Sequence, residues 1–167
     1  MMDVVKFFLG IAIVAFTSFC GRLLAKKYRQ RMQFFCQLKE FNERFLSEIS
    51  YCRRPLKEFI VAYSYEGEFE ELLRDFCIFL KEDGSLPRFS VDEGKYMFLK
   101  PEDKQVVEDY FSMLGRGDSS SQKGYFSSLK DMLSKMQIET QNNANRYVDL
   151  YVKIGFLCGL LVLILII

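Results

Sequence analysis

The densest group of titratable side chains in this sequence is acidic: Glu66, Glu68, Glu70, Glu71 and Asp75. Two carboxylates can serve as general acid and base, but only inside a pocket that drives their pKa values apart, and the sequence shows no such enclosure here. At the first turn of a helix the same acids need only the positive end of the helix dipole and water. They also make a docking surface for a basic partner. Glu48 is a different case, because it sits beside Ile49 and close to an apolar stripe. A carboxylate held against a protein body needs a hydrogen-bond partner, and the Tyr51 hydroxyl or an arginine is the expected group. Glu48, Tyr51, Glu66, Glu68, Glu70 and Glu71 are therefore the candidate partner-binding residues.

The chain contains no histidine. That removes Ser-His and Cys-His nucleophiles, His-based zinc sites and the commonest general base together. The five cysteines, Cys20, Cys36, Cys52, Cys77 and Cys158, form no C-x-x-C pair and read as small buried hydrophobes in a reducing compartment. No catalytic set, metal site or cofactor is expected, so the protein reads as something other than an enzyme. Its net charge is only +1, which gives no long-range field for nucleic acid.

These groups must be positioned by elements that the hydropathy pattern divides sharply. Half of the 167 residues are hydrophobic, 17 of them Phe, and the excess lies at the two ends. From Phe7 to Gly21 there is no charge, and the run from Val4 to Ala25 spans roughly 33 Å as a helix, enough for a bilayer core of about 30 Å. A cleaved signal peptide would need a small-x-small site after that run, and none is present, so residues 1–25 are expected to stay as an anchor. The last fourteen residues reach only about 21 Å, so a crossing at 151–167 must recruit helix back toward Tyr147, with Lys153 snorkelling. Arg22, Lys26, Lys27, Arg29 and Arg31 follow the first segment, and Arg146 and Lys153 precede the second. By the positive-inside rule, residues 26–150 are then cytosolic and both termini lie outside.

The middle reads as helical throughout. Phe34, Leu38, Phe41, Phe45 and Ile49 recur at spacings of three and four. "PLKEFIVAY" opens a helix at Pro55, and "FEELLRDFCIFLKEDG" is an acidic-start helix ended by Gly84. Ser90 with Glu93 predicts a capping box for a short helix over Asp92 to Leu99, and Pro101 begins "PEDKQVVEDYFSML". "GRGDSSSQKG" reads as a turn in which Gly115 and Gly117 permit positive φ and Asp118 or Ser119 caps the final helix, with Gln122 completing a capping box. An integrin-type reading would need this loop outside the cell. A phosphate-binding reading lacks Gly-Lys-Ser/Thr after a strand. From Phe126 the positions Leu129, Leu133, Met136, Thr140, Asn143, Tyr147, Leu150, Ile154 and Leu157 predict one heptad seam running to the terminus. The expected fold is all-α: a cytosolic bundle of about five or six helices with transmembrane helices at both ends.

"EISYCRRPL", "YFSMLGRGDSSSQ" and the terminal "KIGFLCGLLVLILII" resemble the stage III sporulation protein AB family of endospore-forming bacteria, in order along the whole chain. Glu48, Ile49, Tyr51, Pro55 and Leu56 meet one family pattern; Leu114, Gly115, Asp118 and Gln122 meet another; Gly155 and Gly159 meet its Gly-rich terminal anchor. Where members often carry Thr before the proline, this chain has Arg54, which cannot cap the helix that follows. Such proteins are similar to the cytoplasmic domain of the inner-membrane platform protein of type II secretion and type IV pilus machines (the GspF type). The resemblance implies a scaffold in the channel between mother cell and forespore. It implies residence in the mother-cell-side (outer forespore) membrane and contact with a hexameric secretion-type ATPase, stage III sporulation protein AA, and with other channel proteins. A homo-oligomer is compatible with it. The alternative is a membrane-tethered coiled-coil regulator or sensor, whose gene would neighbour a kinase, phosphatase or transcription factor rather than an ATPase and small membrane proteins.

Overall fold

The computed structural model describes residues 2–51, 54–80, 88–114, 116 and 119–166, and these are helical without a strand. Five helices follow one another: α1 (Met2–Tyr51), α2 (Leu56–Ala62), α3 (Gly67–Phe79), α4 (Pro101–Met113) and α5 (Ser119–Ile166). The first predicted membrane segment and the amphipathic Phe34–Ile49 segment are one helix, α1, because no Pro or Gly-rich break separates them. The chain forms two compact units, one of Met1–Met32 with Glu139–Ile167 and the other of Gln33–Ile138. Helices α1 and α5 contribute to both.

The unit Gln33–Ile138 is built around aromatic rings. Phe34, Leu38, Phe41 and Phe45, the predicted stripe of α1, are buried against Phe59 of α2, Phe69 and Phe76 of α3, Phe111 of α4, and Phe126 and Leu133 of α5. Phe41 is central: its ring centroid lies 5.2 Å from Phe59, 5.8 Å from Phe69 and 6.2 Å from Tyr110, all edge-on. Such pairs contribute about 0.5–1.5 kcal/mol each beyond area burial. Helix α3 begins at Gly67, whose φ of 62° is open to glycine without strain. Helix α4 has Pro101 at its first turn and Asp103 accepting the Lys100 backbone N–H at 3.0 Å.

The predicted helix over Asp92 to Leu99 is a turn instead. The Ser90 hydroxyl donates to Glu108 Oε1 at 3.1 Å rather than capping a helix, and the same oxygen accepts the Val91 N–H at 2.8 Å. Asp92 takes the N–H groups of Gly94 and Lys95 at 2.7 and 3.0 Å, the closed local geometry of an Asx turn. What drives this segment is burial: Phe89, Val91, Tyr96 and Leu99 all enter the core. The predicted end of α3 at Gly84 lies outside the described residues.

In the other unit the N-terminal part of α1 and the C-terminal part of α5 run antiparallel with glycines between them. A Cβ on Gly155 would meet the Thr17 carbonyl oxygen at 2.7 Å, one on Gly21 the Tyr151 carbonyl oxygen at 2.6 Å, and one on Gly159 the Val14 Cα at 2.8 Å. Small residues at the crossing let the backbones touch. This corrects the predicted seam. Thr140 is buried, but Leu150, Ile154 and Leu157 face outward while Ala144 and Gly159 face inward. A straight helix drifts about 20° per heptad from a 3.5-residue repeat, so a seam set at Phe126 has rotated off the contact by Ile154.

Outside that crossing several large apolar side chains are exposed, Phe16 at 68%, Leu161 at 60% and Ile164 at 73% among them. Among the described residues one helix, Ser120–Leu165, is long and apolar enough to cross a membrane, with a mean hydropathy of 2.2 over its most apolar window. Cys36 and Cys158 are exposed, against the expectation of buried cysteines; Cys20 and Cys77 are half-buried, and Cys52 lies outside the described residues.

Candidate functional site

Two of the sequence patterns that resemble a family converge on one groove. Pro55 and Leu56 open α2, and Leu114 closes α4; together with Phe76, Phe79 and Phe111 they line a depression of about 560 Å³ with Lys57 and Arg116 on it. Pro55 is the N-cap of α2 rather than its first helical residue, and the first helical bond runs from the Phe59 N–H to its carbonyl at 3.0 Å. Across the groove the turn after α4 is held by Gln122, whose Nε2 donates to the Arg116 carbonyl at 2.9 Å. The side chain expected to complete a capping box with Ser119 thus binds the incoming loop instead. Gly115 and Asp118 lie outside the described residues.

Glu48 sits at the end of α1, 5% exposed. Of the two partners expected for it, the arginine is present: Arg54 Nε lies 3.2 Å from Glu48 Oε1. The N–H does not point along that contact, so the oxygen has a charge partner without a hydrogen bond among the described residues. Tyr51 is 85% exposed. The residue that cannot cap α2 therefore has another use, which is to neutralise a buried carboxylate from its half-exposed position.

The acidic group lies where expected, at the start of α3, with Glu66 as N-cap and Glu68 and Glu70 in the first turn. It is partly matched within the chain. Glu70 pairs with Arg74 at 3.3 Å; Lys95 lies 3.4 Å from Glu71 and 2.8 Å from Asp75. The Tyr96 hydroxyl also donates to Asp75 Oδ2 at 3.1 Å. Burial, reinforced by the Asp75 charge, drives the Tyr96 phenol far above its ordinary range, and Asp75 raises the Lys95 ammonium. Glu66 holds its place through backbone: its N–H donates to Gln37 Oε1 at 2.8 Å, and its carbonyl accepts Gln37 Nε2 at 3.0 Å. Exposed pairs of this kind contribute about 0–1 kcal/mol, so a partner's cations can exchange into them. No group of three or more Cys, Asp or Glu among the described residues could hold a metal ion.

Asn42 is a buried polar residue that no capping or charge pattern in the sequence singles out. It is fully buried between Phe41 and Phe45, accepts the Tyr110 hydroxyl at Oδ1 (3.2 Å) and donates from Nδ2 to the Phe126 carbonyl (3.3 Å). One side chain thereby ties α1 to α4 and α5. Its signal is a polar residue in phase with the Phe34, Leu38, Phe45 stripe, where an unpaired amide would be costly.

The family model described as stage III sporulation protein AB matches residues 6–167. No curated protein and no solved structure matches the chain.

Proposed function

Because the chain belongs to the stage III sporulation protein AB family and so serves stage III of sporulation, we propose that it is a membrane platform of the channel between mother cell and forespore. In this reading it couples a secretion-type ATPase, stage III sporulation protein AA, to the membrane complex and carries no chemistry itself. The family is not a known enzyme family.

The observation that carries the reading is the inverted packing of the unit formed by the chain ends: glycines inside, Phe16, Leu161 and Ile164 outside. In water such a surface is an aggregation liability, whereas in hydrocarbon it is the ordinary arrangement of a helix pair. It supports spans at residues 1–25 and 151–167; the cations that follow the first span and precede the second then put residues 26–150, which this reading takes as the GspF-like body, in the cytosol and both termini outside. The membrane is the outer forespore membrane. Helix α5 is continuous over Ser119–Ile166, so a load on the body has no break in that helix to dissipate it.

The ATPase contact falls on exposed Tyr51 and on the acidic start of α3, Glu66, Glu68, Glu70 and Glu71, with Glu48 acting through Arg54. Exposed aromatic anchors and exchangeable charges are what a regulated interface uses. The test is affinity capture of the full-length chain from sporulating cells. Recovery of a secretion-type ATPase with other channel proteins is the expected result; channel proteins without the ATPase would refute the coupling role.

A further inference from the structure

Within the unit of the chain ends, a groove of about 390 Å³ is lined by Arg22, Leu23, Lys26 and Arg29 of α1 and by Val148 and Val152 of α5. The three cations sit at i, i+4 and i+7, so they share one face over roughly 10 Å of helix axis. The valines and Leu23 make the rest of the wall apolar. Several other cations have a carboxylate within reach: Arg31 with Glu139, Arg54 with Glu48, Arg88 with Asp109, Lys95 with Asp75. Among the described residues Arg22, Lys26 and Arg29 have no such ion pair, which leaves three positive charges lining a concavity. Arg22 is also the first charge after the uncharged run that ends at Gly21. Nearby, Tyr28 stacks on Tyr147 and Tyr151 at 4.9 and 5.8 Å, the type of residue enriched where hydrocarbon meets headgroups.

We propose that this groove binds an anionic phospholipid, with Arg22, Lys26 and Arg29 around its phosphate and its glycerol and upper acyl chains against Leu23, Val148 and Val152. The inference rests on the membrane reading above. The occupant is a lipid rather than a free anion because half of the wall offers only apolar surface, which a hydrated phosphate gains nothing by touching.

The test uses the full-length chain in nanodiscs of equal phosphatidylcholine and phosphatidylglycerol, released into native mass spectrometry to read the lipids retained. Phosphatidylglycerol should be retained in clear excess. The triple variant Arg22→Gln, Lys26→Gln, Arg29→Gln should lose that excess, by roughly fivefold per removed charge. The variant Lys123→Gln, Lys130→Gln, Lys135→Gln, which removes the same charge from exposed α5 positions, should keep it. Equal retention of both lipids by the unmodified chain, equal loss in both variants, or displacement by millimolar inorganic phosphate would each overturn the proposal. A chain that fails to enter nanodiscs would overturn the membrane reading beneath it, and is told apart by size-exclusion chromatography before any lipid is counted.

Discussion

Gly155 gives the sharpest perturbation of the helix crossing. A Cβ placed there lies 2.7 Å from the Thr17 carbonyl oxygen and 3.2 Å from the Gly21 Cα. Both neighbours are backbone, so neither can rotate away and the helices must separate. Overpacking of this kind costs about 1–3 kcal/mol. In Gly155→Ala the better helix propensity returns about 1 kcal/mol, leaving a net loss of roughly 1 kcal/mol. Gly155→Ile adds branched methyls with less propensity gain, for a net loss of about 2–3 kcal/mol. The assay is titration of mixed micelles with SDS, following the near-UV signal of the tyrosines, whose Tyr28, Tyr147 and Tyr151 stack reports this unit. Leu157→Ala is the control, since Leu157 is 61% exposed and outside the crossing. A Gly155→Ile variant as stable as that control would refute the glycine-mediated packing.

Four further outcomes follow from the body. Phe41→Ala should destabilise the unit Gln33–Ile138 by about 3–5 kcal/mol, visible as faster hydrogen exchange throughout that unit and not merely in α1. Asn42→Leu should cost roughly 1–3 kcal/mol by leaving the Phe126 carbonyl short of a donor and the Tyr110 hydroxyl without its acceptor, and Tyr110→Phe should recover part of the loss in the double variant. Raised values at Tyr96 and Lys95, from ordinary values of 10.0 and 10.5, mean that their protonated forms stabilise the fold below those values. Stability of the Gln33–Ile138 unit should therefore stay level through neutral pH and decline once pH rises past about 10 toward the folded values, a decline that Asp75→Asn should reduce. Glu48→Lys sets a cation against Arg54 in a buried site and should destabilise the body by about 3–5 kcal/mol and impair sporulation; unchanged spore counts would remove Glu48 from the functional set.

Much of this arrangement is written locally. The Phe34–Phe45 stripe, the proline before α2, Pro101 at α4 and the acids at α3 declare their elements through spacing and caps, and the structure keeps each. The misreadings share a cause in tertiary context. Ser90 and Glu93 have capping spacing, but Glu108 of α4 takes the Ser90 hydroxyl and burial of Tyr96 shapes a turn instead. Gln122 has capping-box spacing from Ser119 yet binds Arg116, because the loop brings that carbonyl within reach. The seam failed where a heptad count ignores the 3.6-residue turn and where Gly155 and Gly159 permit an approach that side-chain volumes would forbid. The groove shared by Pro55, Leu56 and Leu114 was legible only as two separate patterns, since nothing in either one states that α2 and the end of α4 meet.

The platform account is tested most directly by binding of a purified secretion-type ATPase to nanodiscs that hold the full-length chain, measured by biolayer interferometry. The account predicts saturable binding that weakens about tenfold with Tyr51→Ala, a change of the size expected for an aromatic anchor, and that weakens further as salt rises. Binding no stronger than to empty nanodiscs would contradict it.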